Sequence, residues 1–459
     1  MNWKKFLYTP IDNSALIVFR IIFGTLITLE AWGAIATGWV RRTMVEPEAT
    51  FNFIGFDFLQ IFQGPPMYFY FALMGVFGLM VTIGYKYRWS MLGYGVLWAG
   101  AYFMQKSSYN NHYYLLMLLC GIMTLLPAGN NISVDTWLKP KLKKISMPRW
   151  VVIIIIIQLW IVYTYASIAK LYPDWLDSTV PELLMKGRKN NWPTGWLLQD
   201  SWAHWTIAYV GILFDGLIIP LLLWKKTRKW AFGISIFFHL FNSIIFRIGI
   251  FPYMSLAFSL FFFETKTIHN LFLKRWKPYF VLAKEETKKR ASSVYKVSAL
   301  QKISIFIFSI YFIIQIGLPL RHWFMEDNVL WTEEGHRLSW RMMLRTKSGR
   351  LSFTGKDKVT GQTFKINHRD YLSKKQQSRV TTKPDMIWQL AQRIKKKYAS
   401  QGQDIAIYAQ SRIKINGRKY KQLIDPKVDL GSVPWNHFDH NPWLMPSDDY
   451  LIKKVASPK

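Results

Sequence analysis

A lysine stands alone at the end of a long apolar run. Lys170 follows the run 151–168, and Pro173 ends any helix there because proline lacks an N–H and clashes with the preceding turn. A lysine in that position either extends its ammonium to the membrane surface, or it is partly desolvated and acts as a general base. Position alone leaves both interpretations open.

Two further polar groups interrupt apolar segments. His239 and Asn242 are three residues apart, so they share one face of a helix. Such side chains at membrane depth usually form hydrogen bonds between helices, although they can also line a ligand site.

The stretch 106–112 reads Lys-Ser-Ser-Tyr-Asn-Asn-His between two apolar segments. Ser107 and Ser108 have no acidic partner nearby in the sequence, which disfavours a serine nucleophile.

Nine apolar segments could position these residues. About 20 apolar residues span a bilayer as a helix. The predicted spans are 14–36, 67–84, 89–105, 112–127, 150–170, 204–224, 229–246, 250–264 and 302–320. The fourth and the eighth are short for a full span. The sequence therefore predicts a mainly α-helical membrane protein whose helical domain occupies residues 1–320.

Basic residues are concentrated in alternate loops, which predicts an orientation. Lysine and arginine occur before residue 14, at 86 and 88, in 139–149, in 225–229 and in 266–302. With nine spans and a cytoplasmic N-terminus, every basic loop lies in the cytoplasm, as the positive-inside rule expects. The domain that follows the ninth span is then extracytoplasmic.

This topology brings polar residues from several spans to the outer membrane face. The candidate site residues are Lys106, Asn111, His112, Lys170, Asp174, Trp175, His239, Asn242, Phe251 and Tyr253. Their convergence is typical of a cavity between helices, although polar anchors are also ordinary at the ends of membrane helices.

The C-terminal region, 321–459, is predicted to be a small β-rich α+β domain. Alternation and turn residues indicate its elements. These are short strands within 338–368 with turns at Ser348-Gly349 and Thr360-Gly361, an amphipathic helix at 384–400, a strand at 405–415, and a hairpin turn at Asn416-Gly417 before 419–424.

Charge and cysteine content restrict the function classes. The region 321–459 has 27 lysines and arginines against 13 aspartates and glutamates, which attracts polyanions, acidic peptides or anionic lipid headgroups. The outward location disfavours nucleic acid. Histidine, cysteine and carboxylates show no metal-ligand spacing, so we expect no metal. Cys120 is the single cysteine, so no disulfide forms within the chain.

Five motifs resemble those of the vitamin K-dependent γ-glutamyl carboxylases and their bacterial relatives, whose membrane part is called the HTTM domain. In chain order they are Lys106-Ser107-Ser108-Tyr109-Asn110-Asn111-His112, Ala169-Lys170-Leu171-Tyr172-Pro173-Asp174-Trp175, His239-Leu240-Phe241-Asn242-Ser243 with Ile248-Gly249-Ile250-Phe251-Pro252-Tyr253, Ser339-Trp340-Arg341-Met342-Met343, and Asp425-Pro426-Lys427-Val428-Asp429. The vertebrate members carry two adjacent lysines where this chain has Ala169-Lys170.

The resemblance implies an activity and assigns roles. A neutral lysine deprotonates reduced vitamin K, whose reaction with O2 generates a strong base. That base removes a γ-proton from a peptide glutamate, CO2 adds, and the vitamin leaves as its epoxide. By the same resemblance Lys170 is the catalytic base and His112 the catalytic histidine, with Asn111 beside it. A lysine needs desolvation or a nearby positive charge for that work near neutral pH.

Two other functions remain open from the sequence. One is a quinol epoxidase, using vitamin K or menaquinol, that carboxylates no peptide. The other is a non-catalytic quinone- or lipid-binding membrane protein with a basic recruiting domain. For the carboxylase, the expected partners are the lipid bilayer and a glutamate-containing exported protein, and the location is a bacterial inner membrane with the C-terminal domain in the periplasm.

Overall fold

The computed structural model describes residues 3–190, 195–246, 248–282 and 299–449. A helix lies at each of the nine predicted segments. These helices are α1 Ser14–Ala36, α2 Pro66–Ile83, α3 Tyr87–Met104, α4 Asn111–Leu125, α5 Trp150–Ile168, α6 Ser201–Leu223, α7 Arg228–Phe246, α8 Phe251–Phe258 and α9 Ala299–Leu320. We call them together the helical domain.

Six helices in the described part are long and apolar enough to cross a membrane. They are α1, α2, α5, α6, α7 and the helix 302–324 that includes most of α9. The apolar helices at 111–125 and 251–261 are shorter. The prediction of an integral membrane protein built mainly from α-helices is confirmed.

Short elements connect these helices. They are the helices Trp3–Tyr8, Val134–Leu138, Pro173–Leu176, Thr179–Lys186, Thr265–Ile268 and Val329–Thr332, single turns of 3-10 or π-helix, and a two-stranded ribbon of Pro10–Asp12 with Ser146–Pro148.

Local sequence explains several helix ends. Pro66 occupies the first turn of α2, where a missing N–H costs nothing, and Gly84 ends that helix in the left-handed conformation. The Asn110 side chain accepts a hydrogen bond from the N–H of Tyr113 and caps α4. Pro173 opens a new short helix directly after α5. The chain therefore turns sharply just after Lys170.

Small residues bring α1 and α2 together. A Cβ on Gly24 would lie 2.6 Å from the N atom of Thr82, and a Cβ on Gly78 would lie 2.7 Å from Oγ1 of Thr28. Close backbone approach of this kind stabilises helix pairs in a membrane through van der Waals packing. The aromatic side chains of Phe19 and Phe258 continue the core from α1 to α8.

The C-terminal domain is a four-stranded antiparallel sheet covered by one helix. Its strands are β1 Lys347–Asp357, β2 Thr363–Ile366, β3 Ile405–Ile415 and β4 Lys421–Gln422, in the order β2-β1-β3-β4; its helices are α10 Lys374–Val380 and α11 Pro384–Ala399. α11 packs its apolar side on the sheet, which confirms the prediction of a small β-containing domain.

One predicted turn is wrong. Ser348-Gly349 lies inside β1, paired with Ile413 and Lys414 of β3, and the chain turns only at Thr360-Gly361. A Cβ at Gly349 would lie 2.4 Å from the carbonyl oxygen of Thr381. The glycine is there because the backbone between α10 and α11 crosses the strand closely, not because the strand ends.

The two domains are in direct contact through buried charged groups. Lys106, just before α4, pairs with Asp385 of α11 at 2.6 Å, and Arg337 donates to the same carboxylate. Arg393 of α11 donates to the carbonyl oxygen of Thr50. The predicted boundary at residue 320 stays a prediction.

Candidate functional site

A buried ion pair lies inside the helical domain. Nζ of Lys170 lies 2.5 Å from Oδ2 of Asp215 on α6 and donates a second hydrogen bond to the carbonyl oxygen of Ala166 at 3.0 Å. Both side chains are about nine-tenths buried. Removing two charges from water costs several kcal/mol each, so the pair persists because each charge has its partner.

Trp175 forms the wall beside this pair. Nζ of Lys170 lies 5.6 Å from the centre of the indole ring, close enough for a cation–π contact. The indole N–H donates to the carbonyl oxygen of Ala208 on α6 at 3.0 Å, which fixes the ring. Gly211 lies against both side chains, with its missing Cβ 3.7 Å from Trp175 and 3.8 Å from Lys170. The lysine therefore has a defined position.

Tyr163 and Phe214 connect the ion pair to a histidine. Tyr163 is on α5, seven residues before Lys170. Its hydroxyl is 3.2 Å from Nε2 of His239 on α7. The ring of Phe214, next to Asp215, packs edge-on against both Tyr163 and His239.

A second histidine completes the cluster. The imidazole of His112 is stacked on the ring of Phe251, with ring centres 3.8 Å apart, and His239 approaches the same phenyl ring at 6.3 Å. Nδ1 of His112 and Nδ1 of His239 are buried without hydrogen-bond partners in the described part of the chain. We call Tyr163, Phe214, His239, Phe251 and His112 the aromatic cluster.

Unpaired buried nitrogens indicate what the aromatic cluster can bind. Buried polar atoms normally have partners, and each exception needs an explanation. The hydroxyl or carbonyl groups of a bound ring would supply the missing partners. The residues present therefore fit a quinol, with Lys170 at one end of the cluster.

A cavity of about 960 Å³ lies between the helical domain and the C-terminal domain. Ala169, Leu171 and Tyr172 form part of its wall, so the segment 169–172 separates the cavity from the Lys170 side chain, which points to Asp215. The opposite wall comes from the C-terminal domain and includes Arg341, Asn416, Arg418, Lys419 and Lys421.

Arg341 is a cation in that wall without a carboxylate partner among the described residues. Its Nη1 lies 3.2 Å from Nε2 of His322, and its buried Nε has no partner. Burial, followed by the charge of Arg345, lowers the pKa of the Arg341 guanidinium to about 10. An arginine in this state is ready to bind a carboxylate that enters the cavity.

Three predicted residues lie at the domain contact instead of in the aromatic cluster. Lys106 is paired with Asp385. Asp174 accepts hydrogen bonds from Arg418 at 2.7 Å and from Asn416 at 2.8 Å. Asn111 donates to the carbonyl oxygen of Arg341 at 2.9 Å. All three hold the C-terminal domain against the helical domain, and Asp174 also lines the cavity.

Two predicted residues lie at the edge of the cluster. Asn242 is half-buried one turn after His239 on α7. Tyr253 is 48% exposed, and its hydroxyl lies 3.2 Å from Oγ of Ser243. Neither forms a hydrogen bond with Lys170 or Asp215 in the described part of the chain.

Sequence reasoning missed Asp215, the role of Tyr163 and the unpaired state of Arg341. Asp215 had a detectable signal, because an ionisable residue inside an apolar span is by default a functional candidate. Tyr163 had none, since an aromatic residue in an apolar helix usually packs in the core. The state of Arg341 depends on which carboxylates fold near it, which no local pattern shows.

Comparison with known protein families gives two matches. The family model of the HTTM domain matches residues 8–266, and the model described as vitamin K-dependent gamma-carboxylase, lumenal domain, matches residues 300–450. No solved structure matches the chain. The two matches cover the helical domain and the C-terminal domain in the order that the sequence motifs indicated, and the chain belongs to the vitamin K-dependent gamma-carboxylase family.

Proposed function

We propose that this protein is a membrane carboxylase that couples oxygenation of a reduced vitamin K-type quinol to carboxylation of glutamate in a protein substrate. Family membership implies an enzyme of the carboxylase kind and the use of vitamin K hydroquinone, O2 and CO2. The observation that carries the proposal is the Lys170–Asp215 pair, buried at one end of an aromatic cluster with two unpaired histidine nitrogens.

We propose that Lys170 accepts the quinol proton as a neutral amine, after the ion pair with Asp215 has given up its own proton. Bound in the aromatic cluster, the quinol supplies two oxidisable hydroxyl groups, and its reaction with O2 furnishes the base strong enough for a γ-carbon. Lys170 takes the hydroxyl proton as a general base, and Asp215 stabilises the ammonium that results. The apolar helices around the pair exclude water, which strengthens the electrostatic attraction between the Lys170 ammonium and the Asp215 carboxylate.

His112 and His239 are the residues positioned to hold the ring. Stacking on Phe251 orients the ring of His112, and the hydroxyl of Tyr163 orients that of His239. Each can exchange one hydrogen bond with a ring oxygen. This arrangement fixes the reacting oxygen relative to Lys170, which is the main contribution that binding makes to such a step.

The cavity is the proposed site of the glutamate side chain. It opens between the two domains, and Arg341 supplies an unpaired cation. A glutamate carboxylate bound to Arg341 would lie across the 169–172 segment from Lys170. The quinol and the peptide would therefore approach from the membrane and from the aqueous side, respectively.

A single experiment separates this function from its alternatives. Purified protein is incubated with reduced vitamin K, O2, labelled CO2 and a glutamate peptide, and both epoxide and peptide label are measured. Both products support the carboxylase. Epoxide without peptide label indicates a quinol epoxidase, and neither product indicates a binding protein.

The base assignment has its own variant. We expect Lys170→Ala to lower epoxide formation by about 10²- to 10⁴-fold, the usual contribution of a positioned general base. Lys226→Ala, which removes an exposed loop lysine, is the matched control and should retain activity. Unchanged epoxide formation in Lys170→Ala would reject the assignment.

A further inference from the structure

One side of the C-terminal sheet is a basic face. Directly opposed residues of antiparallel strands point to the same side of a sheet, so the register decides which side chains are neighbours. α11 covers the side that holds Phe353, Ile407 and Ile413. The cations on the other side, which we call the basic face, are Arg350 and Lys356 of β1, Lys365 of β2, and Arg412 and Lys414 of β3.

The charges of this face are not neutralised within the sheet. None of the outward positions in the four described strands holds an aspartate or glutamate, and Arg350 lies directly opposite Arg412. Like charges in directly opposed positions destabilise a sheet. Two other cations of the same domain, Arg345 and Lys347, have a carboxylate partner in Glu333. The sheet keeps Arg350 and Arg412 in opposed positions despite their repulsion, and a bound anionic ligand would remove that repulsion.

Tyr420 orders part of the basic face. The guanidinium of Arg350 lies 5.1 Å from the centre of the Tyr420 ring, and Nζ of Lys414 lies 5.4 Å from it. The tyrosine hydroxyl is 3.4 Å from Oγ of Ser348. That hydrogen bond, and then the charges of Lys414 and Arg350, lower the pKa of the Tyr420 phenol. Two of the cations are therefore held beside one aromatic ring before any ligand arrives.

The basic face points away from the helical domain. α11 lies between the sheet and the loop before α2, where Gln389 donates to the carbonyl oxygen of Asn52 and Arg393 to that of Thr50. The sheet packs on the other side of α11, and its open face is one layer further out. This placement disfavours lipid headgroups as the ligand of the face.

The same face leads to the cavity. β3 continues into the turn at Asn416 and Gly417, and Asn416, Arg418 and Lys419 line the cavity beside Tyr172 and Asp174. An 11-residue strand is about 37 Å long at roughly 3.4 Å per residue. An extended acidic segment of about ten residues would follow the strand and end at the cavity.

We propose that the basic face is the docking surface for an acidic, glutamate-rich segment of the polypeptide substrate. The proposal rests on the proposed function for the identity of the substrate. Charge complementarity selects the segment, and the continuity of β3 with the cavity wall directs its end towards Arg341. Docking on the sheet keeps the substrate bound while successive glutamates reach the cavity.

Binding of a defined peptide tests the proposal. Full-length protein in nanodiscs of neutral lipid is titrated with a fluorescent glutamate-rich 12-residue peptide, and anisotropy gives the Kd at low and at moderate salt. We expect Arg350→Ser/Arg412→Ser to weaken binding roughly 10-fold, because two charged contacts are lost. The control Lys374→Ser/Lys396→Ser removes the same charge from exposed helical positions and should change Kd less than about 2-fold.

Three results would overturn the proposal. Equal losses in both double variants would indicate attraction to the total charge, and no loss in either would remove the face from binding. Binding of phosphatidylserine vesicles or of an oligonucleotide through the face, without binding of the peptide, would assign it another ligand. The titration contains no quinol, so failure of carboxylation leaves its result intact. Conversely, turnover of a three-residue glutamate peptide, too short to reach the face, should be unaffected by Arg350→Ser/Arg412→Ser.

Discussion

At the scale of single residues, the pairing of Lys170 with Asp215 decides how the lysine works. An isolated amine in an apolar bundle would release its proton readily but would hold a new one poorly. Beside a carboxylate at 2.5 Å, the ammonium that the proposed proton transfer forms would be stabilised where it appears.

The carboxylate is testable by an isosteric change. We expect Asp215→Asn to lower kcat for epoxide formation at least about 100-fold, because the forming ammonium loses its counter-charge, with a much smaller effect on KM for the quinol. The measurement is initial-rate kinetics with reduced vitamin K. Asp215→Glu should recover part of the rate.

Asp200→Asn is the matched control for that change. Asp200 is exposed at the start of the same helix, and its side chain makes no capping hydrogen bond. Its substitution should leave kcat unchanged. A rate for Asp215→Asn equal to that of Asp200→Asn would assign the ion pair to stability and not to catalysis.

The sequence predicted Lys170 but not its partner, and the reason is geometric. A lysine at the end of an apolar run is visible because the run stops there. Asp215 lies 45 residues later in another helix, and only the packing of α5 against α6 brings the two together. The pattern of apolar residues along one helix does not show which side chains of another helix pack against it.

At the scale of elements, the contact between α11 and the turn that precedes α4 is a buried charge triad. Lys106 and Arg337 both reach the carboxylate of Asp385, which stands in the first turn of α11. Burial alone would raise the pKa of Asp385, but the charges of Arg337 and Lys106 outweigh it and hold that pKa well below its usual range. The triad therefore fixes the C-terminal domain through one ionised carboxylate.

Asp385→Asn should loosen this contact. Removing one partner of a buried ion pair leaves uncompensated charge and costs about 3–5 kcal/mol. We expect a lower thermal midpoint and faster proteolysis of the C-terminal domain. Asp404→Asn, which removes only the exposed partner of Lys358, is the control and should change neither measurement.

The triad also predicts a dependence on pH. The folded-state pKa of Asp385 lies below the unfolded value of about 4, so its stabilisation is complete above that pH and is lost as the pH falls towards the folded value. The difference in thermal midpoint between wild type and Asp385→Asn should therefore shrink below about pH 4. A constant difference down to pH 2 would contradict the ionised triad.

Element boundaries were largely predictable from local chemistry. Pro66, Gly84 and Asn110 are strong signals of helix ends, and the strand at 405–415 alternates clearly. Gly349 misled the prediction because a glycine that permits a close crossing looks the same in sequence as a glycine that permits a turn.

At the scale of the whole molecule, the arrangement of charge predicts an orientation in the membrane. The basic loops alternate along the chain, and nine crossings would place the C-terminal domain on the side opposite to them. The family model calls this region lumenal. The number of membrane crossings and their direction were predicted from loop charge, because they depend on the membrane as well as on the packing of the helices.

Cysteine labelling can determine the orientation. Cys120 is buried and is replaced by alanine to give a background without thiols. We expect Lys396→Cys, exposed on α11, to react with a membrane-impermeant maleimide in intact cells. Lys226→Cys, exposed in the loop between α6 and α7, should react only after permeabilisation. Labelling of both positions in intact cells would contradict the nine-span arrangement.

The thin wall at 169–172 affects how the base would lose its proton between turnovers. A base that has accepted a proton must give it up before the next turnover, and a base deep in a membrane usually needs a chain of carriers to do so. Here the neighbours of Lys170 on both sides, Ala169 and Leu171, line the cavity between the two domains, and successive Cα atoms are only about 3.8 Å apart. In the proposed mechanism, the proton that Lys170 accepts would therefore have only this segment to pass before it reaches the cavity, and its release would not require a path across the membrane.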